Sequence, residues 1–133
     1  MSPLEVRDAI IGRIHANYTN TPVSWPNRTF DPDKDATGGH WVKPHILMAP
    51  STIGELAENG VGFRDGVLKI QVFGPKGKES RVAWANAGTL EALFRRQVIS
   101  RIVFDEPSTT EIGNDGNHYQ LAVDIPFTAF VNE

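Results

Sequence analysis

One segment of the sequence, from Gly66 to Arg96, constrains the fold more than any other because its hydrophobic period changes within one short turn. Between Val67 and Phe73, residues of one face (Leu68, Ile70 and Val72) alternate with those of the other, which is the period of a β-strand. A Gly-Pro-Lys-Gly turn follows. Beyond it, apolar residues recur at helical spacing, namely Ala83, Ala87, Leu90 and Phe94. A strand that leads into a one-sided helix predicts a helix packed on a sheet.

The length and composition favour a single soluble domain. The chain has 133 residues and no cysteine, so we expect one domain, residues 1–133, with a core of its own. The missing thiols exclude disulfides, thiolate zinc ligands and a cysteine nucleophile, and they fit a reducing compartment. The N-terminal segment lacks the pattern of a signal peptide, and no apolar run is long enough to cross a bilayer. We therefore expect no membrane partner.

The charge balance argues against a protein whose main function is to bind nucleic acid through its phosphates. Sixteen acidic and 13 basic residues give a formal net charge of -3, whereas binding through phosphates calls for a basic surface. The local basic cluster comprises Arg95, Arg96 and Arg101. We assign Arg95 and Arg96 to the end of the second helix, where cations complement the helix dipole. A phosphate-binding patch is the alternative.

Helix and strand signals lie on either side of the central segment. Ser2, followed by Pro3 and Glu5, predicts a capping box at the start of a helix that ends near Asn17. The run from His40 to Met48 alternates as a strand does, and Pro44 within it indicates an edge position or a bulge. The remaining strand candidates are a short β-rich run, Val98 to Phe104, and a final half-buried strand, His118 to Phe130.

This element order predicts a two-layer α+β domain: a mainly antiparallel sheet of four to five strands with two amphipathic helices on one face. A mixed sheet stays open, because Val67 to Phe104 could also form a right-handed β-α-β crossover with parallel strands. The turn-rich stretches Pro50–Asp65 and Asp105–Asn117 predict a long arm and a protruding loop.

Motifs for catalysis and for metal binding fail their spacing tests. The acidic residues from Asp31 to Asp35 begin like a calcium loop, but Ala36 and Val42 stand where glycine and glutamate are required. The Gly74–Lys78 turn lacks the spacing of a phosphate-binding loop. The four histidines show no ligand spacing. We predict no catalytic residue, no metal site and no cofactor.

Aromatic residues suggest two further expectations. Core or loop-anchoring roles are favoured over ligand stacking for the three tryptophans. Pro126 suggests that the last strand lies at a sheet edge, from which Phe127 and Phe130 would pack against a neighbouring subunit. The alternative is that these two rings close the core of the monomer.

The ordered segments together resemble the small tail-terminator, or tail-completion, proteins of long-tailed bacteriophages. The resemblance covers most of the chain and rests on the order and spacing of SPLEVRDAIIGRI, VSWPNRTF, HWVKPHILM, GVLKIQVFGPKGKESRVAWANAGTLEALFRR and YQLAVDIPF. It implies a structural subunit that forms a ring, typically sixfold, on the head-proximal end of the tail tube. Such a ring stops tube growth and provides the joint to the head.

The resemblance also implies partners and a location. The partners would be further copies of the chain, the tail tube protein and a head-completion or connector protein, with DNA only passing through the ring. The location would be the virion tail, and the host cytoplasm during assembly. Candidate interface residues are Glu55, Glu58, Arg64 and Asp65 on the arm, Arg101 in the run after the second helix, Glu111 and Asp115 on the loop, and Phe127 and Phe130 near the chain end.

Two other functions stay open. The first is a different head-tail joining protein, a stopper or adaptor, which would bind the portal side. The second is a monomeric small-molecule-binding or enzymatic domain that uses the sheet face or the loop after Trp25, for which the sequence offers no convergent polar cluster.

Overall fold

A computed structural model describes residues 2–36, 38–49, 52–53, 62–77, 80–116 and 118–130. The helices within these ranges are α1 (Pro3–Asn17), α2 (Pro32–Asp35) and α3 (Arg81–Phe94). The strands are β1 (Trp41–Met48), β2 (Thr52–Ile53), β3 (Gly62–Pro75), β4 (Val98–Ile99), β5 (Ile102–Phe104), β6 (Ser108–Asp115) and β7 (His118–Phe130).

The described strands form one sheet in the order β1-β3-β7-β5-β4, to which β2 adds beside β3 and β6 beside β7. Every pair of these strands is antiparallel. The predicted α+β class with an antiparallel sheet is therefore confirmed. The described residues form seven strands rather than four or five, because two-residue strands and β6 add to the predicted ones.

The longest pairing joins β3 to β7 in continuous register, from Phe63 opposite Phe130 to Pro75 opposite His118. Strands β3 and β5 both pair antiparallel to β7, so they run in the same direction with β7 between them. The connection from β3 to β5, which contains α3 and β4, therefore crosses β7, and β3 and β5 are not neighbours in the sheet.

Helices α1 and α3 cover one face of the sheet, called here the helix face. The predicted stripes are buried there: Val6, Ile10 and Ile14 of α1, and Ala83, Ala87, Leu90 and Phe94 of α3. They pack in one core with alternate residues of the central strands, namely Leu68, Ile70, Val72, Leu121, Val123, Ile125, Phe127 and Ala129. Because strand side chains alternate, the other residues of β1, β3 and β7 lie on the opposite face, called the open face.

Pro44 has the edge position that its sequence predicts, since β1 lies at one end of the sheet. The backbone of Val42 bonds to Pro22 and Ser24, on the side away from β3. Pro44 stands two residues along, so its missing N–H falls on the same outer side, and no bond to β3 is lost.

The prediction that the last strand lies at an edge is wrong, since β7 is central. It pairs with β3 on one side, and with β6 and then β5 on the other. The carbonyl of Pro126 accepts the Asp105 N–H at 2.9 Å, between the residues that pair with β6 and those that pair with β5. The missing N–H thus falls where the partner strand changes, which is how proline fits inside a sheet. Phe127 is 3% exposed and closes the core.

The prediction of a protruding loop over Asp105–Asn117 is also wrong, because Ser108–Asp115 forms β6. Turn-prone residues at both ends of this stretch favoured a loop, but the residues between them, Thr109-Thr110-Glu111-Ile112, have a high β propensity. An irregularity between Glu111 and Gly113 interrupts its register with β7. In the predicted arm, Gly62–Asp65 belongs to β3, while residues 54–61 lie outside the described part of the chain.

The core is packed closely against Gly66, and a substitution at this position measures how closely. A Cβ built on Gly66 would overlap Phe127 Cζ and would lie 2.6 Å from the Leu47 carbonyl oxygen. We expect Gly66→Ala to lower the free energy of unfolding by about 1–3 kcal/mol, because a ring and a strand backbone must both move. Urea denaturation measures the change.

The matched control is Gly12→Ala in α1, where an added Cβ meets nothing within 4 Å. This variant should gain up to about 1 kcal/mol, since alanine favours a helix more than glycine does. Equal effects of the two substitutions would contradict the packing that we describe around Gly66.

The predicted capping box is present. The Ser2 N–H donates to Glu5 Oε1 at 3.1 Å, and the Glu5 N–H donates to Ser2 Oγ at 3.2 Å. The Ser2 backbone N–H, and after it the Ser2 hydroxyl, stabilises the Glu5 carboxylate and so lowers the pKa of Glu5 from its ordinary value of 4.5. A lowered pKa means that the carboxylate stabilises the helix start above pH 4.5 and loses this effect as the pH falls through the folded-state pKa.

We therefore expect the Glu5 carboxyl carbon, followed by NMR against pH, to titrate with a midpoint below 4.5. The Ser2→Ala variant should move this midpoint upward, because the hydroxyl contact is lost. A wild-type midpoint at or above the ordinary value would show that the capping box does not form in solution.

Candidate assembly surfaces

The open face of the sheet changes character along the strands. Its centre is polar, with His45 Nε2 bonded to Gln71 Oε1 at 2.9 Å. Lys43, Lys69 and Asp124 lie around this pair by strand register. A polar centre of this kind is ordinary solvated surface. Contact sites are therefore expected at the two ends of the face.

One end of the open face is closed by an aromatic stack. Trp41 lies parallel to Phe73 with ring centroids 3.9 Å apart, and Phe30 packs on Trp41 at 4.9 Å. His118 meets both stacked rings edge-on. Trp41 is only 7% exposed, so this cluster fastens the segment around Phe30 to the sheet. The predicted loop-anchoring role is confirmed for Trp41.

The other end of the open face is apolar and open. Register places Leu47, Val67 and Pro126 side by side across three strands. The next row contains Asp65, Thr128, Val103 and Val98. Leu47 is 57% exposed, and Val98 is 66% exposed. Large aliphatic groups grouped at such a strand end are typical of a protein contact.

A cavity of about 480 Å³ lies within this apolar end. We call it the acidic groove and define it by Asp65, Val103, Asp105, Pro126 and Thr128. The Thr128 hydroxyl donates to Asp65 Oδ1 at 2.8 Å, so this carboxylate is held in place at the groove. The groove therefore combines aliphatic walls with two carboxylates.

A second groove lies in the helix layer, between α1 and the segment that follows Pro22. We call it the basic groove; its volume is about 200 Å³, and its lining residues are Arg7, Ile11, His15, Trp25 and Arg28. The rings of His15 and Trp25 lie 6.1 Å apart. Arg7 also contacts Asp8, at 2.8 Å. The groove presents two guanidinium groups on an apolar floor.

The arginines at the end of α3 are engaged by carboxylates. Arg95 contacts Glu91 at 2.6 Å and Glu106 at 3.0 Å, and Arg96 contacts Glu106 at 3.1 Å. Thr109 bonds to Glu91, which ties the start of β6 to the same helix. This arrangement favours the helix-end assignment of Arg95 and Arg96 over a phosphate-binding patch.

The structure separates the candidate interface residues. Asp65 lies in the acidic groove, and Phe130, 37% exposed, lies beyond it beside Phe63. Arg64 stands next to Asp65 in β3, and Arg101 precedes β5, where its carbonyl accepts the Phe130 N–H. Glu111 accepts a hydrogen bond from Tyr119 on the helix face, away from the groove. Asp115 ends β6, and Glu55 and Glu58 lie outside the described residues.

Sequence reasoning did not single out Leu47, Val103, Asp105 or Arg28. One signal was available for Leu47, an aliphatic residue that follows Lys43 and His45 on the same strand face. The grouping of Asp105 with Asp65 depends on the position of β7 between their strands, and no local pattern reports it.

In the part of the chain that the structure describes, no group of three or more His, Asp or Glu side chains could hold a metal ion. Over the same residues, no helix combines the length and the apolar character needed to cross a membrane.

The fold and its two grooves define a small α+β subunit with exposed surfaces of the kind that proteins use to bind one another. The family model described as phage tail terminator protein matches residues 5–127. The chain therefore belongs to the phage tail terminator family, and the resemblance predicted from its sequence is confirmed. It is a structural component of a phage tail and of the virion. Its family implies contacts with other phage tail and head proteins.

The comparison with solved structures supports the fold independently. One solved chain aligns over 97% of this chain and 96% of its own length, with a TM-score of 0.72 and 21% sequence identity. At this identity the likeness concerns the fold alone. No curated protein sequence matches this chain.

The carboxylate-arginine network at the end of α3 gives a testable contribution to stability. We expect Glu106→Gln to lower the free energy of unfolding by about 0.5–1 kcal/mol at low salt, because contacts to two arginines are lost while all three side chains are partly exposed. In about 0.5 M salt the loss should shrink, because screening weakens exposed pairs. Urea denaturation at both salt concentrations measures it.

The control is Asp8→Asn, which removes an isolated exposed pair with Arg7. Its effect should stay within about 0.3 kcal/mol at either salt concentration. If Glu106→Gln also stayed within that range at low salt, the network would contribute nothing to the docking of α3.

Proposed function

We propose that this chain acts as a tail terminator by forming a ring of about six subunits on the head-proximal end of the tail tube. The ring stops tube growth and provides the joint to a head-completion or connector protein. The observation that carries this proposal is the family match, which spans residues 5–127. The whole chain, residues 1–133, would act as one domain, assembling in the host cytoplasm before it becomes part of the virion.

The surfaces of the subunit support a role in assembly. The acidic groove and the row from Leu47 to Pro126 expose aliphatic groups that a lone soluble domain gains nothing by exposing. Among the described residues, none pairs with the outer side of β1 beyond Val42, so another protein could extend this edge by strand addition. Both features are suited to contacts with further copies or with the tube.

The charge of the chain supports a DNA-conducting ring. A formal net charge of -3 leaves an excess of carboxylates. A lumen lined by carboxylates repels passing phosphates and does not hold them. DNA would accordingly pass through the ring without a binding site of its own.

The test is assembly on tail tubes. Purified protein is added to tubes growing from the cognate tube protein, and negative-stain microscopy records tube ends and lengths. We expect a ring at one end of each tube and shorter tubes at higher terminator concentration, because capped ends stop adding subunits. Light scattering of the protein alone reports the size of the assembly.

A protein that stays monomeric and leaves tube ends bare and tube lengths unchanged would contradict the proposal. So would a ring that binds purified portal complexes but not tubes, since that result identifies a stopper or adaptor. A size-matched soluble protein of similar net charge serves as the control for crowding effects on tube length.

A further inference from the structure

We propose that one repeated contact joins the subunits of the ring. In this contact the surface around the acidic groove of one subunit packs against the surface around the basic groove of the next. The partner is thus a second copy of this chain, and the inference rests on the proposed ring. It adds which two surfaces meet and which side chains select them.

The two grooves are chemically complementary. The acidic groove carries Asp65 and Asp105 among aliphatic walls. The basic groove carries Arg7 and Arg28 beside Ile11 and Trp25. Apolar surface can meet apolar surface in this contact while each carboxylate faces a guanidinium. Such pairing of potentials speeds encounter and fixes register.

The same charges disfavour a two-fold dimer. An isologous contact would place the acidic groove against itself, with Asp65 and Asp105 of both copies in one interface. Like charges opposed across an interface disfavour the contact strongly. In the basic groove Arg28 meets the same difficulty, whereas Arg7 is already paired with Asp8. Joining unlike surfaces avoids both repulsions.

The position of the grooves also suits a closed ring. The basic groove includes Trp25 and Arg28, just after the segment whose backbone pairs with Val42 on the outer side of β1. The acidic groove lies across the three inner strands, β3, β7 and β5, beside Asp65 and therefore towards the opposite end of the strands from Val42. It opens on the face away from α1. A subunit with unlike contact surfaces on opposite sides assembles head to tail, and such a series closes when the rotation per subunit divides a full turn.

Charge reversal tests the contact. Asp105 and Arg28 are exposed in the subunit, so neither substitution disturbs the core. We expect Asp105→Arg alone and Arg28→Asp alone each to weaken ring formation by about tenfold or more. The two combined in one chain should restore ring formation, since the charges are exchanged but still complementary.

A mixture of the two single variants gives a sharper result. A ring in which the variants alternate has two kinds of contact: one joins the substituted side chains of both variants, and the other joins the natural Asp105 to the natural Arg28. Both contacts pair opposite charges. We therefore expect the 1:1 mixture to form rings at concentrations where neither variant does alone. Sedimentation velocity gives the assembly size, and microscopy at tube ends gives the fraction of capped tubes.

The matched control is Arg81→Asp, an exposed residue of α3 outside both grooves, which makes the same charge change as Arg28→Asp. It should assemble as the wild type does. The urea midpoint of each variant establishes that it folds, and Asp105→Asn with Arg28→Gln form a milder pair if a reversal prevents folding.

The outcomes distinguish a failure of the proposed contact from a failure of the proposed terminator function. If the wild type forms rings and caps tubes while both reversals do so equally well, these grooves are not the contact, and the terminator function stands. The same follows if both reversals fail but neither the double variant nor the mixture recovers. If the wild type neither forms rings nor caps tubes, both the function and the contact are wrong.

Discussion

The pairing of β3 with β7 is the interaction on which the rest of the structure depends. Its continuous register, from Phe63 opposite Phe130 to Pro75 opposite His118, places the apolar residues of both strands on the same face. Helices α1 and α3 bury that face in one core. A slip of one residue would turn this apolar set towards solvent and remove the surface on which both helices pack. At one point the pair is especially close, since the Phe127 ring occupies the space that a side chain on Gly66 would need.

The same pairing separates two surfaces of different chemistry. One face of the sheet carries the helices, whose outer side presents the basic groove around Arg7 and Arg28. The other face carries neither α1 nor α3, and the change of partner from β6 to β5 along β7 brings Asp105 to the same groove as Asp65. The central pair therefore determines where the two unlike surfaces lie relative to each other. A subunit in a head-to-tail ring needs this property, because the angle between its two contacts determines whether the ring closes.

Local patterns in the sequence predict local structure well. The strand from Val67 to Phe73, the helix stripe from Ala83 to Phe94 and the capping box of Ser2 and Glu5 all depend on residues a few positions apart. The edge position predicted from Pro126 was wrong because the proline fits a gap between β5 and β6. Strands distant in sequence create this gap, so no local pattern reports it. The candidate surfaces show the same difference between local patterns and contacts made by residues distant in sequence. Asp65 was found as a charged residue next to a strand, whereas Val103 and Arg28 gain significance only from neighbours that the fold brings together.

The central claim is that a β3–β7 pair, unchanged on assembly, carries two grooves that become buried in the ring. Amide hydrogen exchange, measured by mass spectrometry on free subunits and on subunits bound to tail tubes, tests it most directly. We expect assembly to slow exchange in peptides that contain residues 25–28 and 104–107, while the paired centre of β3 and β7, around Ile70 and Val123, is equally protected in both states. Unchanged exchange in both groove peptides, or a large change in the centre of the β3–β7 pair, would contradict the account.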